Sequence, residues 1–383
     1  MKNRVAIIGG GASGMLLANL LNENYDISIF EAQNRILKKV LASGNGMCNL
    51  SNDAFSDVCC LKDKFNANLD NVFNRFDLDK LKEVLKDLGL ILRKDSEGRY
   101  YPYSKKATNV YDILSRNLGN NVHIYTDFLV NDIKCDNCYI INGEYEFDYV
   151  IMACGSKASV NFKYNADKLV NNLGIKINDL KPSLVGLKVY ENIKSISGLR
   201  IKAKVSFYKD NKLIDVNKGE VQFKDDGISG IVIMEESRFF DNNKNCKVEL
   251  DFMEEYDEKE LYQLIKDLAK NNNDYKDILL GILPKMLAYD IVARSKNIDD
   301  IVYNIKHYCL KVKDTYGFDN CQVVRGGVDL NEINLNTFES KKYKNLYFMG
   351  ELLDVDGTCG GFNLHFAWAS AYIVSEALNR LGE

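Results

Sequence analysis

The chain opens on an apolar run, Arg4-Val5-Ala6-Ile7-Ile8, that breaks into Gly9-Gly10-Gly11-Ala12-Ser13-Gly14. Small and apolar residues then recur at helical spacing (Ala12, Met15, Leu16, Ala18, Leu20), and the chain re-extends as Tyr25-Asp26-Ile27-Ser28-Ile29-Phe30. This pattern predicts strand, helix, strand. Leu81, Val84, Leu85 and Leu88 share one helical face and predict a helix over 79–88 closed by Gly89. After the turn Gly98–Tyr103, Ser104 is the expected cap of a helix carrying Ala107, Val110, Tyr111, Leu114 and Leu118. Short strands are expected at 122–125, 128–133, 139–141 and 145–147. Tyr149-Val150-Ile151-Met152-Ala153-Cys154-Gly155 reads as a strand buried on both faces.

From Pro182 to about Leu250 the pattern turns to alternation (Ile201, Ala203, Val205, Phe207), predicting an antiparallel β-unit. Residues 258–296 return to helical spacing, with Leu261, Leu264, Ile265 and Leu268, then Ile278, Leu279, Ile282 and a start at Pro284. Strands follow at 309–312 and 321–324. Near the end, Leu346-Tyr347-Phe348-Met349 predicts a strand. Gly350-Glu351 and Asp354-Val355-Asp356-Gly357-Thr358-Cys359-Gly360-Gly361-Phe362-Asn363 come next, leading into a helix with Ala367, Ala369, Ala371, Val374 and Leu378.

The first forty residues carry a specific chemistry. A strand runs into G-x-G-x-x-G and a helix, and a second strand ends in Glu31, about 20 residues on, which is the dinucleotide-binding fingerprint in its required context. Gly9 permits the tight turn, Gly11 lets the backbone approach a pyrophosphate, and Gly14 brings helix and strand together. Ala12 and Ser13 open the helix whose free N–H groups favour phosphate. Glu31 can accept from both ribose hydroxyls and repels a 2′-phosphate, which disfavours NADP there. The loop Ser43-Gly44-Asn45-Gly46-Met47-Cys48-Asn49 is rich in turn residues able to wrap a ligand. Around Gly350-Glu351 and Gly360-Gly361, a strand, an acid, a glycine pair and a helix start form a second platform. Glu351 suits a ribityl hydroxyl, and the N–H groups of Phe362, Asn363 and Leu364 suit a flavin pyrimidine edge. The cofactor-binding candidates are therefore Gly9, Gly11, Ala12, Ser13, Gly14, Glu31, Ala32, Lys39, Ser43, Gly44, Asn45 and Asn49. They continue with Leu129, Val130, Ala153, Cys154, Gly155, Gly350, Glu351, Asp354, Gly360, Gly361, Phe362, Asn363 and Leu364. His365 is a weak catalytic candidate, and Arg99, Tyr101 and Tyr103 are candidates to line a substrate pocket.

Composition narrows the class. With 383 residues, 46% hydrophobic and 27% charged, the chain is an ordinary globular protein of more than one domain. A formal charge of −4 gives no footprint for nucleic acid. Ten scattered cysteines fit reduced thiols in the cytoplasm better than a disulfide framework. Cys135-Asp136-Asn137-Cys138 has C-x-x-C spacing, but it lies in a strand-like stretch without a second pair, so no metal is expected. The glycines break the first apolar run as a signal segment, and no run is long enough for a membrane span.

In order along the chain, these blocks resemble the BaiN/YhiN-like flavoproteins, also called the aminoacetone-oxidase-like FAD enzymes. The resemblance runs from Ile8–Gly14 through Lys38–Asn49, Gly98–Ala107, Ala153–Gly155, Pro182–Val185, Gly227–Gly230 and Gly326–Val328 to Gly350–Trp368. It implies an α/β fold, with a Rossmann-like FAD domain split over 1–182 and 318–383. It also implies an inserted β-barrel-like domain (183–255 and 297–317), a small helical domain (256–296) and non-covalent FAD. The chain departs from the family pattern at Asn45 and Met47, where Gly and Arg are usual, and at Lys224 and Asp225, where Thr and His are usual. It departs again at Val324-Arg325, where Thr is usual, and at His365, where Gln is frequent.

The expected function is an FAD-dependent oxidoreductase acting on a small molecule, with NAD(P)H as a transient co-substrate or oxygen as electron partner. No second G-x-G-x-x-G offers a nicotinamide domain. A flavin-dependent tRNA-modifying enzyme and a non-catalytic flavin sensor are the alternatives. Neither a nucleic acid nor a membrane is an expected partner, and no oligomeric state follows from the pattern.

Overall fold

A computed structural model describes residues 2–61, 63–159, 162–270 and 274–381. The chain forms two compact units, Met1–Lys181 with Val323–Glu383, and Pro182–Gln322.

The first unit is built on a seven-stranded sheet. Its order is Ile333–Asn334, Glu339–Ser340, Leu346–Phe348, Tyr149–Met152, Asn3–Ile8, Tyr25–Phe30, Val122–Tyr125. The five strands from Leu346–Phe348 to Val122–Tyr125 are parallel. In the inner strands Val5, Ile7, Ile27, Ile29, Val150 and Ile151 are wholly buried, as a sheet covered on both faces requires, while the edge strand Val122–Tyr125 leaves Ile124 and Tyr125 exposed. The helices Ala12–Leu20 and Phe362–Leu381 pack together against it. The strand ends that carry Gly9, Glu31, Ala153 and Gly350 all point the same way. This is the carboxyl edge of the sheet, where ligands of open α/β sheets bind.

Two local expectations changed. Residues 128–132 are not a strand; pairing begins only at Ile133–Cys135. The Asn142 side chain accepts the N–H groups of Asn131 (2.7 Å) and Asp132 (3.2 Å), removing donors a ladder would need. Ser104 does not cap the following helix, Ala107–Arg116, whose N-cap is Lys106. The helix Leu78–Asp87 is capped by Asp77, whose carboxylate accepts from Lys80 N at 2.8 Å. Gly89 sits at φ +88° after that helix, and the N–H groups of Gly89 and Leu90 close on Lys86 O and Leu85 O.

The second unit is a closed barrel of six strands. They run in the order Leu187–Val189, Gly227–Ser229, Lys212–Phe223, Arg200–Lys209, Cys246–Asp251, Tyr308–Thr315. The alternation read in the sequence is its inner face: Ala203, Val205 and Phe207 are buried. The helices Glu258–Leu268, Tyr275–Leu279, Lys285–Arg294 and Ile298–Lys306 bury Leu261, Ile265, Leu287, Ile291 and Ile305 in the same core as the barrel. The barrel and these helices lie in the same compact unit and share one continuous apolar core. Among the described residues no cysteine forms a disulfide, no acidic, Cys or His cluster could hold a metal, and no helix is long and apolar enough to cross a membrane.

Candidate functional site: two glycine turns at one sheet edge

Two glycines of the first turn, Gly9 and Gly14, are boxed in by backbone. Gly9 adopts φ +115°, its N–H donates to Phe30 O at 2.8 Å, and a Cβ there would lie 2.3 Å from Ala153 O. At Gly14 a Cβ would meet Gly9 O at 2.1 Å. Gly11 differs: no atom lies within 4 Å of its Cβ position, so the backbone at the helix start is open to a ligand. Side-chain-free backbone beside a helix N-terminus is what an approaching diphosphate needs.

Glu31 closes this turn from the next strand. Its carboxylate accepts from Gly10 N (2.9 Å) and Gln33 N (2.7 Å), and burial raises its pKa against the pull of these bonds and of Lys38. Each oxygen retains a lone pair for a further donor. Ala32 follows directly. Leu129 and Val130 lie beside this strand end, where Asp127 N and Phe128 N donate to Gln33 O and Glu31 O. Ala153, Cys154 and Gly155 adjoin Gly9. Burial, reinforced by the Glu31 carboxylate, pushes the Cys154 thiol up to about 12, so it stays protonated and unreactive.

The loop from Lys38 to Asn49 reaches across to the second turn. Lys39 Nζ donates to Ser156 O (2.9 Å), Ser156 Oγ (3.2 Å) and Glu351 Oε2 (3.2 Å). Gly44 and Asn45 are both left-handed (φ +54°), Gly46 follows at φ +79°, and Ser43 Oγ binds Val40 O at 2.7 Å. A Cβ at Gly46 would meet nothing, so this bend too presents bare backbone.

The second turn lies against the first. A Cβ at Gly350 (φ +65°) would approach Ser13 Oγ to 2.8 Å. Gly360 and Gly361 also have positive φ, and a Cβ at Gly361 would meet Ser51 O at 2.6 Å and Asn49 Oδ1 at 2.8 Å. Two buried acceptors near this helix start, Asn49 Oδ1 and Thr358 Oγ1, have no hydrogen-bond partner in the protein. An unmet buried acceptor beside a helix N-terminus fits a ligand that brings its own N–H and carbonyl groups, as a flavin pyrimidine edge does.

Several predicted residues serve the protein itself. Glu351 accepts from Val324 N at 3.1 Å as well as from Lys39, so half its capacity is already spent. Asp354 ties Gly326 N (3.1 Å), Asn66 Nδ2 (3.1 Å) and Asn178 Nδ2 (2.8 Å) together. The Asn363 side chain pins Gly357 by N–H and C=O at 2.7 and 2.9 Å, leaving only the backbone of Phe362–Leu364 to face a ligand. His365 is a core residue and not a group facing a ligand. It is fully buried, stacked on Phe55 at 3.6 Å, with Nδ1 on Ser51 Oγ (2.7 Å) and Nε2 on Phe76 O (3.0 Å). Burial lowers its pKa to about 3, so it is a neutral core residue with no reach to a substrate. Arg99 pairs with Asp95 and Glu97, Tyr101 is buried, and Tyr103 is exposed. Cys135 ends one strand of a surface hairpin, and Cys138 lies in the turn just before the other. Sequence reasoning missed Thr358, with its unmet hydroxyl, and Ser156 and Asn66, whose partners Lys39 and Asp354 lie far away along the chain.

A model of the HI0933-like protein Rossmann domain matches residues 3–377. The chain belongs to this family. It is 33% identical to a 3-dehydro-bile acid delta(4,6)-reductase of Clostridium scindens, with 98% of each chain covered. It is 26% identical to a ribosomal RNA dihydrouridine synthase of Haemophilus influenzae, again with 98% of each covered. Among solved structures, the open conformation of a flavocytochrome c3 fumarate reductase superposes with a TM-score of 0.50 at 11% identity. That match covers 100% of this chain and 78% of the other, and it shows a shared fold. This member of the HI0933-like family is an enzyme of the flavin-dependent oxidoreductase class.

Proposed function

We propose that this enzyme holds FAD non-covalently between its two glycine turns and, with electrons from NAD(P)H, reduces a carbon–carbon double bond conjugated to a carbonyl. The observation that carries the reading is the meeting of the two turns, Gly350 against Ser13, with bare backbone at Gly11 and unmet acceptors at Asn49 and Thr358. A dinucleotide spans such a pair, with its diphosphate on one helix start and its ring on the other. The names of the two relatives share one reaction. A delta(4,6)-reductase of a 3-dehydro compound saturates double bonds in line with a ketone, and a dihydrouridine synthase saturates the ring double bond of uracil. A formal charge of −4 and the higher identity to the bile-acid enzyme favour a small molecule over RNA.

The chain's residues divide the work. The N–H groups at the start of Ala12–Leu20 would hold the diphosphate, and the remaining lone pairs of Glu31 the adenosine ribose. Lys39 and Glu351 fix the Lys38–Asn49 loop against the second turn. The N–H groups of Phe362–Leu364 and the Asn49 carbonyl would orient the pyrimidine edge and stabilise negative charge there. Bound in this way, the flavin supplies hydride transfer. No second dinucleotide fingerprint is present in the sequence, so the nicotinamide is a visiting co-substrate.

The test is anaerobic. Purified protein should be yellow, should release FAD on denaturation, and should bleach with NADH or NADPH. A 3-oxo-4,6-diene steroid should then restore the colour, and a uridine-containing RNA should not. A colourless protein that refuses FAD ends the reading. Reoxidation by RNA alone transfers it to the nucleic-acid branch.

A further inference from the structure

We propose that a cleft at one end of the barrel binds the oxyanion of an organic ligand, a carboxylate or a phosphate ester, between Lys188 and Lys224 over the ring of Tyr316. The cleft is an open depression of about 380 Å³ within the second unit, lined by Lys224, Asp225, Asp226 and Tyr316 among others, and Lys188 reaches the same ring from beside that lining. Its floor is built for a flat ring. A Cβ at Gly186 would lie 2.9 Å from Tyr316 Cδ2, and one at Gly227 would lie 2.7 Å from Tyr316 Oη. Only glycine at both positions lets the tyrosine ring lie close on the strand backbone. Tyr316 N donates to Gly186 O at 3.0 Å and Tyr316 Oη to Asp226 Oδ1 at 2.5 Å, which fixes the ring at both ends. Burial and the neighbouring carboxylates raise the phenol pKa, so the hydroxyl remains a donor to Asp226.

Two ammonium groups address this ring, Lys224 Nζ at 4.6 Å and Lys188 Nζ at 5.4 Å from its centroid. The acids of the cleft are engaged by hydroxyls, Asp226 by Tyr316 and Asp225 by Ser197 Oγ at 2.5 Å. Neither lysine has a carboxylate within ion-pair distance among the described residues. Lys247, 4.3 Å over Tyr208 in the same barrel, is by contrast paired with Glu249 at 3.6 Å. Each ammonium offers three donors and has only a ring face to meet them. What the two ammonium groups lack is an ion-pair partner, and an oxyanion would supply one.

The experiment titrates the full holoprotein by calorimetry with benzoate, phenyl phosphate and the uncharged benzyl alcohol. At least one anion should bind in the millimolar range or tighter, and benzyl alcohol about tenfold more weakly or not at all. The preferred anion identifies the oxyanion as carboxylate or phosphate. In Lys188→Gln/Lys224→Gln, affinity should fall by about tenfold or more, while Lys247→Gln should stay within about twofold of the parent. Should the double variant lose its native circular dichroism, Lys224→Gln alone should weaken binding by about threefold or more. Absence of binding by either anion, or equal binding by the parent and the lysine variants, overturns the proposal. The flavin reading is judged separately, since anion binding by a colourless protein would leave this site standing.

Discussion

His365 gives the sharpest test of the site, because its chemistry predicts the direction and size of a pH effect. The ring is fully buried, its two nitrogens are satisfied by Ser51 Oγ and Phe76 O, and its pKa falls from 6.5 to about 3. Unfolded, the same imidazole titrates near its ordinary value. Between the two values the unfolded chain binds a proton that the folded chain refuses, so acidification favours unfolding. The stability is fully present above the unfolded pKa and is lost as pH falls toward the folded one. At about pH 5 the loss relative to about pH 8 is ~2 kcal/mol, and the folded state's own protonation adds less than ~0.1 kcal/mol to the balance. His365→Gln keeps a donor and an acceptor in place and removes the titration. Trp368, the only tryptophan, is fully buried in the same helix, so its fluorescence reports unfolding of this unit in urea. The parent should lose ~2 kcal/mol more than the variant between about pH 8 and about pH 5, with flavin reduction by NAD(P)H unchanged in rate. Parallel losses in the two proteins would refute the buried neutral imidazole. A variant that folds but no longer turns over would return His365 to the chemistry.

Other expectations are more direct. Gly14→Ala places a methyl 2.1 Å from Gly9 O and should cost ~2 kcal/mol or more and lower the ratio of bound flavin to protein, read by absorbance. Gly361→Ala combines φ +99° with a contact of 2.6 Å to Ser51 O, and should raise the flavin Kd by about tenfold or more in a fluorescence titration. Lys39→Met removes three hydrogen bonds from a partly exposed ammonium, so its cost should stay near ~1 kcal/mol while flavin release quickens in stopped flow. Burial, with Asp215 and Glu235 nearby, pushes the Glu236 carboxyl up to about 8. Since that folded value lies above the unfolded one, the parent gains stability as pH falls from 8 toward 4.5, and Glu236→Gln should stabilise by at least ~2 kcal/mol more at about pH 8 than at about pH 5. Equal stabilisation at both pH values would count against a protonated Glu236.

The sheet was legible because burial on both faces leaves a continuous apolar signature. Tyr25–Phe30, Tyr149–Met152 and Leu346–Phe348 were readable without reference to one another. The barrel was legible through alternation along Arg200–Lys209. What the pattern could not give was how the pieces divide. The helices after residue 258 show in the sequence only as a run of helical spacing, whose apolar faces do not say what they pack against. Membership of the barrel's core is a property of which faces meet, and periodicity does not record that. The strand expected at 128–133 failed for a similar reason. Its residues suit a strand, but Asn142, on the far side of a hairpin, takes the N–H groups first.

At the site, the backbone was readable and the side chains were not. Glycine turns announce themselves because only one residue type tolerates a contact such as 2.1 Å between a Cβ at Gly14 and Gly9 O, so the geometry is written into the residue's identity. A carboxylate or an imidazole carries no such constraint. Glu351, Asp354 and His365 were all assigned toward a ligand, yet their partners Lys39, Asn66 and Ser51 lie about three hundred residues away in the chain. Polar side chains beside a nucleotide turn can face the ligand or hold together the segments that form it, and the two roles use the same residue types. Here the division follows burial. The atoms with unmet demand, Asn49 Oδ1 and Thr358 Oγ1, sit where two segments distant in sequence meet the start of the last helix. The residues around them spend their hydrogen bonds on keeping that junction closed. A substitution in those holders should therefore weaken flavin binding through the protein's own stability, whereas one at Asn49 should shift the flavin's reduction potential in a protein that remains as stable as the parent.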